Sequence, residues 1–310
     1  MYSSSLNILL NTLGSFPVLS YATGFVKDFI ISIMKTAPVP RHVALIMDGN
    51  RTYAKNNNLP LKDGHNAGAE SLIHVLDVCY RVGINTITIY AFSIENFNRS
   101  QAEVDTIFTL LRDKLSLLVQ NETSFAQLNR VKIRIIGNKS LIPQDILTDL
   151  EQIETKSNLN DTIRVLNVCF PYTSRDEITH SMKTIVEMYK NHQIESKNDI
   201  NMQTLHDAMY MGPDSPPLDL LIRTSGHTRL SDFMLWQCNQ DCTIEFVKTL
   251  WPDFKFVGIT CILFKWMYYK TLQLEEEERI SKIPTKNNKV VTNILKELPP
   301  APPFASVSGS

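Results

Sequence analysis

Three short polar clusters hold the residues best suited to chemistry. The first, Asp48-Gly49-Asn50-Arg51, follows the apolar run Val43–Met47. The second, Ser93-Ile94-Glu95-Asn96-Phe97-Asn98-Arg99, follows Thr86–Phe92. The third, Arg223-Thr224-Ser225-Gly226, follows Leu218–Ile222, with Arg229, Ser231 and Asp232 close behind. A carboxylate such as Asp48 is a hard oxygen ligand for Mg²⁺, and a neighbouring glycine lets backbone N–H groups approach phosphate oxygens. Arg51, Arg99, Arg223 and Arg229 offer forks to phosphate, while Ser93 and Ser231 add hydroxyl donors. Taken singly, Asp-Gly-Asn is an ordinary turn and an arginine an ordinary surface charge. Three such clusters at three strand ends point instead to a phosphate-binding edge served by a divalent cation. His65, beside Gly64, is expected near a helix N-terminus, where anions bind.

The elements that must position these clusters alternate along the chain. Val43–Met47, Thr86–Phe92, Val131–Ile136, Ile163–Phe170, Leu218–Ile222 and Thr243–Val247 are short, apolar and rich in β-branched residues, and read as strands. Helical spacing fills the gaps: Ala67 to Cys79 ending at Gly83, Val104 to Leu118, Leu141–Leu159, Arg175–His192 and Met202–Met211. Such alternation predicts an α/β fold, a single domain with a central, mostly parallel six-stranded sheet flanked by helices on both faces. Ligands in open α/β sheets bind outside the carboxyl ends of the strands, where all three clusters fall. The expected divisions are an apolar leader over 1–37, a catalytic domain over 38–280 and a proline-rich, extended tail over 281–310. Glu275–Glu278 reads as a solvated helix face.

Composition narrows the field. Among 310 residues, 31 are Lys or Arg and 32 are Asp or Glu, a net charge of −1 that leaves no basic footprint for nucleic acid. At 43% apolar and 20% charged residues the chain can bury a core. The five scattered cysteines lack zinc-ligand spacing and are expected as buried, reduced thiols. There is no P-loop, Gly-x-Gly-x-x-Gly turn or Gly-x-Ser-x-Gly elbow, which argues against those nucleotide and hydrolase classes. Gly14, Pro17 and Gly24 break the leader below spanning length. It is either loose, packed on the domain, or an interfacial helix using Phe25, Ile30, Ile31, Ile33 and Met34.

The fuller wording of the clusters is recognisable. Pro40 to Arg51, Tyr90 to Arg99, and Leu221 to Gly226 continuing through Arg229 to Gln237 and Leu250-Trp251-Pro252 resemble the signatures of cis-prenyltransferases. The resemblance runs over about residues 38–270 and is closest to eukaryotic, especially fungal, dehydrodolichyl diphosphate synthases. It implies condensation of isopentenyl diphosphate onto farnesyl diphosphate, giving a long cis-polyprenyl diphosphate for dolichol synthesis and protein glycosylation. It further implies Asp48 as the Mg²⁺ ligand and catalytic residue, with Asn96 and nearby Ser93 at the condensation and proton-loss step. Gly49, Asn50, Arg51 and His65 would grip the allylic diphosphate, and Arg223, Arg229 and Ser231 the isopentenyl diphosphate. Tyr53, Glu95, Phe97 and Arg99 would line or order the same pocket. The growing chain needs an apolar tunnel, for which Leu110, Leu111, Leu115 and Leu118 are candidates.

The sequence also departs from the family pattern. Thr52 and Leu61 stand where relatives usually carry basic residues, which should weaken allylic diphosphate binding. Cys242, flanked by Asp241 and Glu245, falls near a bacterial metal-binding glutamate. Self-sufficient members end in Arg-x-Gly, whereas the last six residues here are Ala305 to Ser310. The expectation is a related non-catalytic partner subunit that supplies that motif. Membrane-surface contact is expected through the leader and Ile259–Tyr269, on the cytosolic face of the endoplasmic reticulum or a lipid droplet. A non-catalytic scaffold of the same fold is the competing reading; retention of Asp48, Asn50, Ser93, Asn96, Arg223, Arg229 and Ser231 favours the enzyme.

Overall fold

A computed structural model describes residues 17–159, 161–239 and 241–281. The expected extended tail beyond Ser281, and the leader before Pro17, lie outside the described residues. Six strands form one sheet: β1 (His42–Ile46), β2 (Thr86–Tyr90), β3 (Val131–Ile136), β4 (Arg164–Cys169), β5 (Leu220–Arg223) and β6 (Thr243–Phe246). Their order is β3-β4-β2-β1-β5-β6, and all five pairings are parallel. Each sequence-derived strand lies within two residues of its counterpart.

Parallel strands need crossovers, which the helices between β1 and β5 supply; among the described residues, one further helix precedes β1 and one follows β6. In chain order the helices are α1 (Pro17–Met34), α2 (Asn50–Asn56), α3 (Leu61–Val82), α4 (Gln101–Val119), α5 (Phe125–Asn129), α6 (Gln144–Ser157), α7 (Ser174–Lys190), α8 (Met202–Asp207) and α9 (Phe256–Ser281). α3 stops where Gly83 adopts φ 117°, a left-handed cap that glycine takes without strain. The pleat sends alternate residues to opposite faces. Val43, Leu45, Leu220 and Ile222 enter one apolar core, with residues of α1, α3, α4, α6 and α9. Ala44, Ile46 and Leu221 enter a second core with Met211, Phe233 and Met234.

One buried polar chain crosses the middle of the sheet. His42 Nε2 lies 2.7 Å from Thr88 Oγ1, which accepts from Asn167 Nδ2 at 3.0 Å, and His42 Nδ1 is 2.9 Å from the Pro216 carbonyl. Burial pushes the His42 pKa down to about 4, so the ring is neutral near pH 7.

The chain divides into two units, Met1–Tyr268 and Tyr269–Ser310. In the second, Glu275–Glu278 are exposed, as a solvated helix face should be. In the first, α1 is a helix packed on the domain, one of the three readings of the leader. Ile31 and Met34 are buried in the core, so the exposed stripe of α1 is Phe25, Phe29 and Ile33, each one helical turn from the next. Ile259, Ile262, Leu263, Trp266 and Met267 are likewise core residues, whereas Phe264 and Tyr268 of the same stretch are exposed. Among the described residues, no helix is long and apolar enough to cross a membrane. Cys79 and Cys169 are buried free thiols, but Cys238 and Cys242 are half-buried and Cys261 is exposed, against the expectation of burial for all five.

Candidate active site

The first cluster is held by a turn that only its own sequence permits. Beyond β1, Asp48 N–H donates to Thr224 Oγ1 at 3.0 Å, and the Asp48 carbonyl accepts from the Thr224 hydroxyl at 2.8 Å and from Trp251 N–H at 3.0 Å. Gly49 then takes φ 110°, where a Cβ would come within 2.9 Å of Leu250. The chain enters α2 at Asn50, and α2 packs tightly on α3. A Cβ on Gly64 would lie 2.5 Å from the Asn50 carbonyl, and one on Gly68 would overlap the Asn50 side chain. Trp251 Nε1 donates to the Gly68 carbonyl at 2.8 Å and closes this junction.

Arg223, in register with Ile46, ends β5 beside that turn. Its side chain is only 3% exposed. Nη2 donates to Asp48 Oδ2 at 2.9 Å, and Nη1 donates to Ser231 Oγ at 2.6 Å and the Arg229 carbonyl at 2.5 Å. Asp48, Arg223 and Ser231 therefore form one line across the carboxyl ends of β1 and β5. Ser231 and Asp232 hold φ of 52° and 59°, left-handed conformations that cost a non-glycine residue roughly 1–2 kcal/mol.

The second cluster is ordered differently. Ser93 Oγ accepts from Glu95 N–H at 3.2 Å and Asn96 Oδ1 accepts from Ser93 N–H at 3.1 Å, a capping box on the short turn Ile94–Asn98. Phe97 meets the rings of Phe92 and Phe108 at 5.0 and 6.0 Å. Arg99 and Arg51 converge on Glu103 Oε1 at 2.9 and 3.7 Å, which joins the second cluster to the first. Arg175 joins the second to the third, with Nη2 2.7 Å from Glu95 Oε1 and Nε 2.7 Å from Asp232 Oδ2.

Against this geometry stand the comparisons with known proteins. The undecaprenyl diphosphate synthase family matches over residues 46–271. The chain belongs to that family. A dehydrodolichyl diphosphate synthase complex subunit of Saccharomyces cerevisiae is 41% identical over 257 residues, covering 82% of this chain and 74% of the relative. A human dehydrodolichyl diphosphate synthase complex subunit is 37% identical over 278 residues, covering 87% and 82%. Among solved structures, a lavandulyl diphosphate synthase from Lavandula x intermedia, in complex with dimethylallyl diphosphate, superposes with a TM-score of 0.68 at 29% identity, covering 74% of this chain and 95% of that one. The chain is thus a cis-prenyltransferase by family, with dehydrodolichyl diphosphate synthase subunits among its relatives.

Within this cis-prenyltransferase, the residues singled out from sequence fall into distinct environments. Asp48, Arg223, Ser231 and the Arg229 backbone meet directly. The Arg229 side chain stays exposed, and Tyr53 is half-buried on α2. His65 departs from its expected place: α3 begins at Leu61, so the imidazole sits in the second turn. Burial first, and then the charge of Arg99, lowers the His65 pKa, so the ring acts as a neutral donor or acceptor near pH 7. Among the described residues, His65 Nε2 and Asn50 Oδ1 are both buried with no hydrogen-bond partner, two polar atoms left open on this edge. Of the expected tunnel residues, Leu115 and Leu118 are buried in the core, while Leu110 and Leu111 are half-buried. Glu245 pairs with Lys265 at 2.7 Å.

Sequence reasoning missed Glu103 and Arg175, and it did not see that Thr224 pins the Asp48 turn. Glu103 carried a signal, four residues beyond Arg99 before a helical run. Arg175 carried none, being 57 and 80 residues from its two partners.

The donor set fits a divalent cation held jointly with substrate. Among the described residues, no three His, Cys, Asp or Glu side chains gather in one cluster. The Asp48 side chain is 36% exposed and engages Arg223 through Oδ2, and among the described residues Oδ1 accepts no hydrogen bond. Mg²⁺ is commonly bound this way, by one or two carboxylates, waters and substrate phosphates.

Proposed function

We propose that this chain is the catalytic subunit of a dehydrodolichyl diphosphate synthase. It joins isopentenyl diphosphate to farnesyl diphosphate and its longer products, with each new double bond cis. The observation that carries this reading is the Asp48–Arg223–Ser231 line, which connects a solvent-facing carboxylate to hydroxyl and guanidinium donors at the edge where α/β enzymes bind ligands. In the reaction, the allylic C–O bond breaks as diphosphate leaves, the isopentenyl double bond attacks that carbon, and a proton is lost. Asp48 would hold the divalent cation, whose charge would offset that building on the leaving diphosphate.

The protein's own groups divide the remaining work. Gly49, Asn50, Arg51 and the neutral His65 serve the allylic diphosphate. Ser231 and the exposed Arg229 serve the isopentenyl diphosphate, and Arg223 orients Ser231 from behind. Asn96 and Ser93, held in their capping turn, line the condensation point with Tyr53, Glu95, Phe97 and Arg99 around them. The growing chain runs in an apolar channel along α4, past Leu110 and Leu111. Relatives named as complex subunits support a second, related subunit as partner. The exposed Phe25, Phe29 and Ile33 on α1 support work at the cytosolic surface of the endoplasmic reticulum or a lipid droplet.

The test is incorporation of labelled isopentenyl diphosphate into lipid with farnesyl diphosphate and Mg²⁺, using the chain alone and with its partner subunit. Long-chain product, dependent on Mg²⁺ and on the partner, is expected. Product from the chain alone would remove the partner requirement. No product under either condition would overturn the catalytic reading and favour the scaffold, with Thr52 and Leu61 as the disabling positions.

A further inference from the structure

We propose that Arg175 is a positioning residue for the isopentenyl diphosphate half of the site, acting through Asp232 on Ser231 and Arg223. This rests on the catalytic reading above and adds to it a residue outside all three clusters. Arg175 is the second residue of α7, and the start of that helix grips Asp232 at three points. Arg175 Nε donates to Oδ2 at 2.7 Å, Arg175 N–H donates to Oδ1 at 3.2 Å, and Ser174 N–H donates to the Asp232 carbonyl at 2.8 Å. The other arm of the same guanidinium donates to Glu95 Oε1 at 2.7 Å. One planar fork therefore joins the turn that follows β2 to the turn that follows β5.

What this junction holds is the strained stretch of the third cluster. Ser231 and Asp232 are consecutive non-glycine residues at positive φ, a conformation that persists only when its surroundings fix it. The Ser231 hydroxyl accepts from Arg223, which in turn donates to Asp48. Besides Arg175, Ser174 and Arg223, Tyr90 OH donates to the Ser231 carbonyl at 3.2 Å. Arg175 itself is 72% exposed, whereas Asp232 is 13% exposed. An ion pair at such a surface adds little to global stability. Its loss should release the Ser231 turn without unfolding the domain. A lysine ammonium, lacking the fork, can serve one carboxylate but not hold both in the same geometry.

The experiment measures steady-state kinetics of Arg175→Ala, Arg175→Lys, Asp232→Asn and the Arg175→Ala/Asp232→Asn double variant. The full chain is used, together with its partner subunit where turnover requires it. Arg175→Ala should raise the KM for isopentenyl diphosphate about tenfold, in the range by which small misplacements weaken a site. The KM for farnesyl diphosphate should stay within about twofold and the melting temperature should be unchanged. Arg175→Lys should recover part of the loss, and the double variant should be no worse than the poorer single one, as for two residues acting as one unit. Equal rises in both KM values, additive losses, or a melting temperature that falls in step with activity would overturn the proposal. So would an Arg175→Ala enzyme with wild-type kinetics, which leaves the catalytic reading standing. A wild-type complex that makes no product overturns both.

Discussion

The junction of β1 with β5 and the turn after β2 both present polar side chains at the same sheet edge, yet they are built in opposite ways. At the junction, Asp48 and Arg223 lie 175 residues apart and meet only because two parallel strands pair in register. Their turn is fixed by Thr224, Trp251 and the close approach of α2 to Gly64 and Gly68. At the turn after β2, Ser93 and Asn96 satisfy each other's backbone within four residues. The junction is thus a product of the whole fold, and the turn is a product of local sequence. Changes at the junction should affect stability and activity together, whereas changes in the turn should cost little stability.

The largest expected effect is at the junction. Gly64→Ala places a methyl against the Asn50 backbone, which cannot retreat as a side chain end could, and should lower unfolding free energy by roughly 1–3 kcal/mol. Denaturant midpoints at constant m-value would measure it, and an unchanged midpoint would mean that α2 can move off α3. Turnover should fall with it, because the displaced Asn50 lies two residues beyond Asp48 in the same turn.

Next comes the buried polar chain of His42, Thr88 and Asn167 across the sheet. His42 is neutral when folded, with a pKa near 4, but takes up a proton near pH 6.5 when unfolded. Its folded pKa is depressed, so its contribution is complete above pH 6.5 and falls as pH drops toward 4, by up to about 1.4 kcal/mol per unit. His42→Gln should be less stable at pH 7.5 yet lose less on acidification between pH 6.5 and 5. Parallel pH profiles for the two proteins would show that His42 protonates freely in the fold.

The smallest effect belongs to the turn. Asn96→Ala removes one arm of the capping box and should cost about 1 kcal/mol, while lowering the rate of condensation more than it changes either KM. A melting shift as large as that of Gly64→Ala would erase the contrast between the two regions.

The same contrast decides what could be read in advance. Every strand was legible, because short apolar runs between polar turns survive burial on both faces. The three clusters were legible as well, through residue type and placement at strand ends. The pairing of Asp48 with Arg223 was not, since each side chain alone suits phosphate or metal equally well. α2 was missed because Asn50–Asn56 has no apolar period and starts from a left-handed glycine rather than a polar cap. The buried face of α1 was not legible, because Ile30, Ile31, Ile33 and Met34 are all apolar, and only the packing selects Ile31 and Met34.

Asp48 carries the central claim, and Asp48→Asn tests it most directly by keeping the shape and an acceptor for Arg223 while removing the charge. Single-turnover condensation of farnesyl and isopentenyl diphosphates with Mg²⁺ should slow by about a thousandfold at a temperature where the variant is folded, and the melting temperature should fall as well, because buried Arg223 loses its counter-charge. Condensation at close to the wild-type rate would contradict the account and move the cation, and with it the reaction centre, away from β1.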